Sequence, residues 1–286
     1  MIPAAFAYQR PASIEEALRI LASDPGAKAL AGGQSLLPLL KLRLATVETL
    51  IDIGRLPGLS GVRQLDDGRL AVGALTTYND LLESPAKHYG VLRDALPHIG
   101  DVQVRNRGTV GGAIAHADPA SDLPACLLAL DAELVIRSAS GERTTGVDGF
   151  FDGAFTTGLE SGELLTEIRL PGPRDAAGSA YVALQQPASG YALVGVAAVV
   201  FGDGKGGIAS ATVALTGVTA TAYRARAVEA ALAGSDGSGA SIAAAAAHAT
   251  DSIDVWSDIH ADREYRTAMT AIYTRRALEA ALARLR

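Results

Sequence analysis

The sequence predicts an α+β protein of two consecutive domains. Over residues 1–170, short helical and strand-like stretches alternate, as is typical of mixed α/β subdomains. The cluster Pro171-Gly172-Pro173 interrupts this pattern, and after it strand-like stretches come first and helical ones last. Because single hydrophobic cores stop growing at about 250 to 300 residues, we expect the 286 residues to form one domain at 1–173 and a second at 174–286.

The first predicted helix begins at Ser13. Ser13 and Glu16 have the S-x-x-E spacing of a capping box, and apolar residues follow at helical spacing. Asp24-Pro25-Gly26 ends this helix, and residues 28–31 are a predicted strand that leads into Gly32-Gly33. Further strands are predicted at 49–53, 69–75 and 133–137, and further helices near 77–82, 88–96 and 123–130.

The second half of the chain predicts an antiparallel meander followed by helices. Residues 178–185, 192–201 and 208–218 are strand-length, rich in apolar and β-branched residues, and joined by turn residues. Helices are predicted at 222–233, at 242–249 and from 262 to the C-terminus, with a glycine- and serine-rich loop at 234–239. In the last helix Tyr265, Met269 and Ile272 lie on one face.

Composition excludes several classes of function. Apolar residues make up 49% of the chain and charged residues 20%, which suits a globular protein, and the net charge of −6 comes without a Lys/Arg cluster. We therefore expect no nucleic-acid partner. The N-terminus lacks the pattern of a secretory signal, and the most apolar stretch, 191–201, is shorter than the ~20 residues of a membrane span. These observations predict a soluble cytoplasmic protein without a membrane span.

A single cysteine, Cys126, limits the redox chemistry that this chain can carry out. It excludes an internal disulfide, a CxxC pair and a four-cysteine iron–sulfur site, and it lies in an apolar stretch typical of a buried residue. The five histidines have no H-x-x-x-H or H-E-x-x-H spacing, so we expect no metal site. If the chain handles electrons, an organic cofactor must carry them.

Two glycine pairs have the features of an anion site. Gly32-Gly33 follows a predicted strand and precedes Ser35, so exposed N–H groups and a hydroxyl are available to a phosphate, although such a pair also occurs in simple turns. Thr109 and Gly111-Gly112 repeat this arrangement, so two loops together suit a pyrophosphate. After them, Asp118 and Asp122 either accept hydrogen bonds from ligand hydroxyls or belong to a helix start that Asp118 or Ser121 caps.

A third glycine-rich segment does not predict a nucleotide site. Residues 202–207 match G-x-G-x-x-G and follow a strand, but the fingerprint must open a helix, and residues 208–215 are strand-like. We interpret the segment as a hairpin turn. His116, beside the second glycine pair, either reaches a bound phosphate or flavin or packs within its loop.

The motifs A-G-G-Q-S at 31–35 and R-N-R-G-T-V-G-G-A-I-A-H-A-D-P-A-S-D-L-P-A at 105–125 resemble the FAD-binding medium subunits of the molybdenum hydroxylases. This family includes the flavoprotein subunits of carbon monoxide dehydrogenase and xanthine dehydrogenase, and the resemblance covers essentially the whole chain. It implies an FAD-binding domain of the vanillyl-alcohol-oxidase (PCMH) type with two α/β subdomains. A C-terminal domain of three antiparallel strands and helices follows.

The resemblance also implies the residues that hold FAD. Residues 31–36 and 109–113 bind its diphosphate, Asp122 contacts the cofactor, and Leu165, ahead of Ile168-Arg169-Leu170-Pro171, occupies a further contact position. The complete set of expected cofactor-binding residues is Leu30, Ala31, Gly32, Gly33, Gln34, Ser35, Leu36, Thr109, Val110, Gly111, Gly112, Ala113, His116, Asp118, Asp122, Leu165 and Tyr191. No residue of this chain is expected to act as acid, base or nucleophile.

Three positions depart from the family pattern. Ala183 stands where members often carry a cofactor-contacting lysine, Gly190 where they carry an aspartate, and Tyr78 where a histidine is frequent. Ala183 and Gly190 leave that side of the flavin without polar contacts, although Tyr191 is able to cover the ring. The function of the loop with Tyr78 stays open.

Membership implies an oxidoreductase assembled from several chains. A molybdopterin large subunit oxidises the substrate, a 2Fe-2S small subunit passes single electrons, and FAD in this chain delivers them to NAD or another acceptor, within a dimer of heterotrimers. Flavin accepts electrons singly and releases them in pairs. The alternatives are a flavin-poor assembly or docking subunit, suggested by Ala183 and Gly190, and a stand-alone flavin oxidoreductase of the same fold.

Overall fold

A three-stranded parallel sheet opens the fold. The computed structural model describes residues 1–172, 174 and 176–285. Its first elements are β1 (Ala7–Gln9), α1 (Ile14–Ser23), β2 (Ala27–Leu30), α2 (Leu36–Leu42) and β3 (Thr49–Asp52). Strand β3 lies between β1 and β2 and is parallel to both. As predicted, Ser13 caps α1 by accepting the N–H of Glu16, and Asp24 ends the helix.

An antiparallel sheet with helices completes the first 170 residues. Its strands are β4 (Val62–Gln64), β5 (Leu70–Gly73), β6 (Glu133–Ser138), β7 (Gly141–Gly146) and β10 (Leu164–Leu170), in the order β4-β5-β10-β6-β7. The helices are α3 (Tyr78–Leu82), α4 (Gly90–Ala95), α5 (Val102–Arg105), α6 (Val110–His116) and α7 (Asp122–Ala129), with 3-10 turns at Pro85–His88 and Leu96–His98. A small ribbon joins β8 (Phe151–Gly153) to β9 (Thr156–Thr157). The polar edge strand β7 lacks the alternating apolar pattern that would have predicted it.

The C-terminal half forms the predicted meander followed by helices. Strands β11 (Ala177–Gln185), β12 (Ala192–Gly202), β13 (Ile208–Thr216) and β14 (Tyr223–Arg224) pair antiparallel in chain order, and α8 (Arg226–Leu232), α9 (Gly239–Ala246) and α10 (Arg263–Leu282) follow. The short β14 is an addition to the expected three strands. The glycine-rich segment 202–207 is the hairpin turn between β12 and β13, as expected, and Asp203 accepts the N–H groups of Lys205 and Gly207 inside it.

Helix α7 is buried on every side and connects the two halves of the molecule. All of its residues are buried, and it packs against α4, α6, β12 and β13. Side chains of the C-terminal sheet such as Tyr181 and Ala197 lie in the same core as Leu123 and Ile136. Of the expected boundary Pro171-Gly172-Pro173, Pro173 lies outside the described residues, and the division at 173/174 stays a prediction.

The buried face of α10 differs from the expected one. Tyr265 is 46% exposed, whereas the helix buries the polar residues Arg266, Thr270 and Thr274. The reason is that Arg266 binds groups beneath the helix. Its guanidinium donates to the carbonyl oxygens of Leu193 (2.8 Å) and Gly217 and to the carboxylate of Asp258 (2.7 Å). A hydrophobic pattern alone cannot predict such a buried ionic contact.

We expect Arg266→Met to lower the free energy of unfolding by about 1 to 3 kcal/mol, because it leaves the carbonyl groups of Leu193 and Gly217 without their donor and Asp258 without its ion pair. The matched control is Arg263→Met, since Arg263 forms an exposed pair with Asp254, whose loss costs about 0 to 1 kcal/mol. Denaturant titration of both variants measures the difference. Equal losses in the two variants would contradict the structural role of Arg266.

Candidate functional site

The first glycine loop presents a run of free backbone N–H groups. It connects β2 to α2, and Gly33 adopts a left-handed conformation with φ of 75° that favours glycine. Within the described part of the chain, the amides of residues 32–36 donate no hydrogen bond. Such a run of uncommitted amides forms an anion-binding concavity. This is the geometry that the motif at 31–35 predicts.

The second glycine loop differs from the expectation of a second set of free amides. Thr109 caps α6 and accepts the N–H of Gly112 (3.1 Å), while the N–H of Val110 donates to Thr76 (3.0 Å) and that of Gly111 to Ala74 (2.8 Å). These three amides are therefore committed to the protein itself. Glycine is required at 111 for packing, because a Cβ there would lie 2.4 Å from the Cβ of Ala74.

The two glycine loops touch each other. A Cβ on Gly32 would lie 1.9 Å from the carbonyl oxygen of Arg107, and one on Gly112 would lie 3.9 Å from the Cβ of Ala31. Both loops line one cleft of about 630 Å³, which is within the range of ligand and cofactor sites. Loops that are far apart in the chain thus share one cavity. The predicted residues that line it are Leu30, Ala31, Gly32, Gly33, Gln34, Ser35, Leu36, Thr109, Gly111, Gly112, Ala113, His116 and Leu165.

Four predicted residues lie outside the lining of this cleft. Val110 is 1% exposed and belongs to the core, and Tyr191 is 48% exposed. Asp118 accepts the N–H of Ala120 (2.9 Å) in the turn after α6. Asp122 is buried, and its carboxylate accepts the hydroxyl of Tyr181. A role for these four residues at the cofactor stays a prediction.

Side-chain capping of α7, the alternative for Asp118 and Ser121, is not found. Ser121 occupies the N-cap position without a side-chain hydrogen bond, and Asp118 bonds only within its own turn. Burial raises the pKa of Asp122 to about 6, against the opposing effect of the Tyr181 hydroxyl. The charge of Asp122 in turn acts on Tyr78, which lines the cleft, and on Tyr191.

Of the two interpretations of His116, packing within its loop is observed, and contact with a phosphate or flavin stays a prediction. His116 lines the cleft and also packs against Phe155, with ring centroids 5.1 Å apart. The loop containing Phe155 is tied to the end of α6, since the N–H of Phe155 donates to the carbonyl of Ala117 (3.0 Å). Burial lowers the pKa of His116, which favours the neutral imidazole.

The far wall of the cleft was missed in the sequence. It is formed by Phe155, Thr156, Thr157, Leu159, Glu160, Ser161, Gly162, Glu163 and Leu164. Glu163 is held by Arg143 at 2.6 Å, and this contact lowers the pKa of Glu163. These residues carry no motif, so only the tertiary structure reveals that they line the cleft. Tyr78, flagged as a departure from the family, is also part of the lining.

Neither a metal centre nor a membrane-spanning helix is found in the described ranges. No group of three or more His, Cys, Asp or Glu residues there is arranged to hold a metal ion. Cys126 is fully buried, and burial raises the pKa of its thiol. Among the described helices, none has the length and hydropathy to cross a bilayer.

Two family models match the chain. Residues 4–173 match the FAD binding domain in molybdopterin dehydrogenase, and residues 179–281 match the CO dehydrogenase flavoprotein C-terminal domain. The carbon monoxide dehydrogenase medium chain of Hydrogenophaga pseudoflava is 40% identical over 99% of both chains. The 6-hydroxypseudooxynicotine dehydrogenase complex subunit alpha of Paenarthrobacter nicotinovorans is 38% identical over 100% of this chain and 97% of its own.

Solved structures agree with these matches. Carbon monoxide dehydrogenase from Hydrogenophaga pseudoflava, in a form lacking the Mo-pyranopterin moiety of the molybdenum cofactor, contains a chain with a TM-score of 0.96 and 42% identity over 100% of both chains. A chain of quinoline 2-oxidoreductase from Pseudomonas putida 86 has a TM-score of 0.92 and 34% identity over 99% of both chains. The predicted α+β fold is thereby confirmed.

We expect Gly32→Ala to separate the two glycine loops, because its Cβ overlaps the carbonyl oxygen of Arg107. Overpacking of this kind typically costs about 1 to 3 kcal/mol of unfolding free energy. Gly146→Ala is the matched control, since a Cβ at Gly146 on the exposed strand β7 meets no atom within 4 Å. Denaturation midpoints of both variants test this contact, and an unchanged midpoint for Gly32→Ala argues against it.

The raised pKa of Asp122 predicts a pH dependence of stability. Since the folded state holds this proton more tightly than the unfolded state, the free energy of unfolding falls as pH rises from about 4 to about 6. Asp122→Asn removes the titration. Relative to the parent, we therefore expect this variant to gain about 2 to 3 kcal/mol between about pH 4 and pH 7.

In the control for Asp122→Asn, the effect of the substitution on the free energy of unfolding changes with pH in the opposite direction. The backbone N–H groups of Lys205 and Gly207 lower the pKa of Asp203, so Asp203→Asn loses stability at neutral pH and less as pH falls. Chemical denaturation of the FAD-free chain over this pH range measures both effects. Parallel pH curves for parent and Asp122→Asn would be inconsistent with the burial of this carboxyl group.

Proposed function

Since the chain belongs to the FAD-binding medium subunits of the molybdenum hydroxylases, a family of oxidoreductases, we propose that it relays electrons from the iron–sulfur clusters of a partner subunit through FAD to an external acceptor. The observation that carries this proposal is the row of uncommitted amides at residues 32–36, in a cleft that a second loop closes. Its cytoplasmic location stays a prediction.

The residues of the cleft fit FAD. The diphosphate of FAD is an anion, and consecutive backbone N–H groups bind anions without a cationic side chain. Glycine at 32 lets this loop pack directly on the carbonyl of Arg107, and glycine at 33 adopts the left-handed conformation of the loop. When bound, FAD supplies the redox chemistry, because flavin exchanges electrons singly or in pairs.

The side chains of this protein bind and enclose the cofactor in this proposal. Leu30, Leu36 and Leu165 offer apolar walls that exclude water, and His116 and Tyr78 offer ring surfaces. In the proposed assignment Thr109, Val110 and Ala113 hold the second loop in place against the diphosphate. The proposal assigns Asp118, Asp122 and Tyr191 to the flavin end, because Asp122 influences the pKa of Tyr78 and both aspartates influence that of Tyr191.

Two observations support the proposed partners: the cysteine content of this chain and the names of its relatives. Its single buried cysteine cannot ligate a 2Fe-2S cluster, and relatives are named as a medium chain or as a subunit of a complex. We therefore propose a 2Fe-2S small subunit and a molybdopterin large subunit as partners, in a dimer of heterotrimers. NAD or another acceptor takes the electrons.

A flavin-poor assembly subunit is the second candidate. Ala183 carries no polar group, and Gly190 has a φ of 74° and open space on the side where a Cβ would project, with no atom within 4 Å. Neither position therefore offers a side-chain donor to a flavin ring. The uncommitted amides favour the electron relay, because an assembly subunit has no need of them.

Isolation of the affinity-tagged chain from its native cells, in its intact assembly, tests the proposal. We expect flavin absorption, about one FAD per chain, two accompanying subunits, and iron and molybdenum by elemental analysis. Gly33→Ala, where φ is 75°, is expected to lose most of the FAD. Gly204→Ala introduces the same substitution at nearly the same φ, 73°, in the hairpin turn and is expected to retain it.

The outcomes separate the two candidates. A colourless preparation that takes up no added FAD but still contains iron and molybdenum would support the assembly subunit. Flavin without accompanying subunits, together with substrate turnover by the isolated chain, would indicate a stand-alone oxidoreductase instead.

A further inference from the structure

The turn after α6 is held by the C-terminal half of the chain. This turn, residues 117–121, joins α6, which lines the cleft, to the buried helix α7. Thr216, at the end of β13, directs its hydroxyl to the carbonyl oxygens of Pro119 (2.7 Å) and Ser121 (2.8 Å). The N–H of Gly217 donates to the same carbonyl of Pro119 (2.7 Å). Two donors, the single Thr216 hydroxyl proton and the Gly217 N–H, thus make three contacts with one short segment.

A fourth contact reaches the first turn of α7. The hydroxyl of Tyr181, on β11, donates to the carboxylate of Asp122. Both side chains are buried, and Gly195 on the neighbouring strand leaves room for the hydroxyl, since a Cβ there would lie 2.1 Å from it. Glycine at position 195 is therefore required for this hydrogen bond.

The polar groups in these contacts would be costly to bury without partners. Thr216 is fully buried, and a buried hydroxyl or carboxylate without a partner is strongly unfavourable. The described structure satisfies each of them with a group on the turn or on α7. A C-terminal sheet that only covered the core would use apolar side chains at these places.

The position of the turn affects the cleft directly. The last residue of α6, His116, lines the cleft, and the N–H of Phe155, on the opposite wall, donates to the carbonyl of Ala117. Burial and the carboxylate of Asp122, at the other end of the turn, both raise the pKa of Tyr78, a lining residue. A displacement of the turn therefore moves both walls of the cleft.

We propose that Tyr181, Thr216 and Gly217 are positioning residues, a clamp from the C-terminal half that fixes the turn 117–121 and Asp122 and thereby sets how the cleft holds FAD. This inference rests on the proposed function, because it concerns the same cofactor. It gives the C-terminal sheet a part in flavin binding although none of the three residues lines the cleft.

Two hydroxyl deletions with matched controls test the clamp. Tyr181→Phe and Thr216→Val each remove one hydroxyl without changing side-chain volume appreciably. Tyr223→Phe removes a hydroxyl that donates to the carbonyl of Ala249 (2.9 Å) and not to the turn, and Thr274→Val removes a buried hydroxyl without a partner in the described structure. All four variants are made in the full chain and isolated in its native assembly.

We expect FAD to dissociate about tenfold more readily from Tyr181→Phe and Thr216→Val, the size of one lost hydrogen bond to a charged or buried group. Affinity in the two control variants should stay within about twofold of the parent. At saturating FAD, the visible circular dichroism of the bound flavin should change only in the clamp variants. A general loss of stability would weaken binding without altering the flavin's surroundings.

The clamp is wrong if Tyr181→Phe and Thr216→Val bind FAD with the parent affinity and the parent dichroism. If the parent itself binds no FAD, the proposed function fails, and hydrogen exchange of residues 117–121 then decides on the clamp alone. Faster exchange in Thr216→Val than in Thr274→Val supports the clamp, and equal exchange overturns it.

Discussion

Direct packing of backbone against backbone is the constraint on which the site depends. Gly32 lies against the carbonyl of Arg107, and Gly111 lies against Ala74, in both cases at distances that leave no room for a Cβ. These contacts bring the end of β2, the start of α6 and the end of β5 to one place. Because no side chain separates these segments, their separation is fixed by the main chain and not by side-chain rotamers.

The two glycine loops differ in how their backbone amides are used. The second loop uses its amides to hold itself to Ala74, Thr76 and Thr109, so it serves as a support. The first loop keeps its amides free, and the proposed function assigns the diphosphate to it. In the proposed function, oriented N–H groups take the place of cationic side chains, which suits an acidic protein with a net charge of −6.

Helix α7 ties this cleft to the rest of the molecule. It is buried on all sides between the first half of the chain and the C-terminal sheet, and its first turn carries Asp122, which Tyr181 holds. The C-terminal half therefore contributes polar contacts as well as apolar cover. We assign no acid, base or nucleophile to this chain. A subunit that carries a redox cofactor has to bind, enclose and position it.

The sequence by itself determined the features that depend on neighbours three or four residues away. The cap at Ser13, the hairpin at 202–207 and the meander could be predicted, and the structure agrees with them. Of the two glycine motifs, the one at 31–35 keeps its amides free as expected, whereas the one at 105–125 does not. Only the tertiary structure decided which glycine amides stay free, that Arg266 turns a polar face of α10 inward, and that Tyr181 meets Asp122. The physical reason is that the partner of a buried polar group lies tens of residues away along the chain. The local pattern of apolar and polar residues therefore does not indicate it.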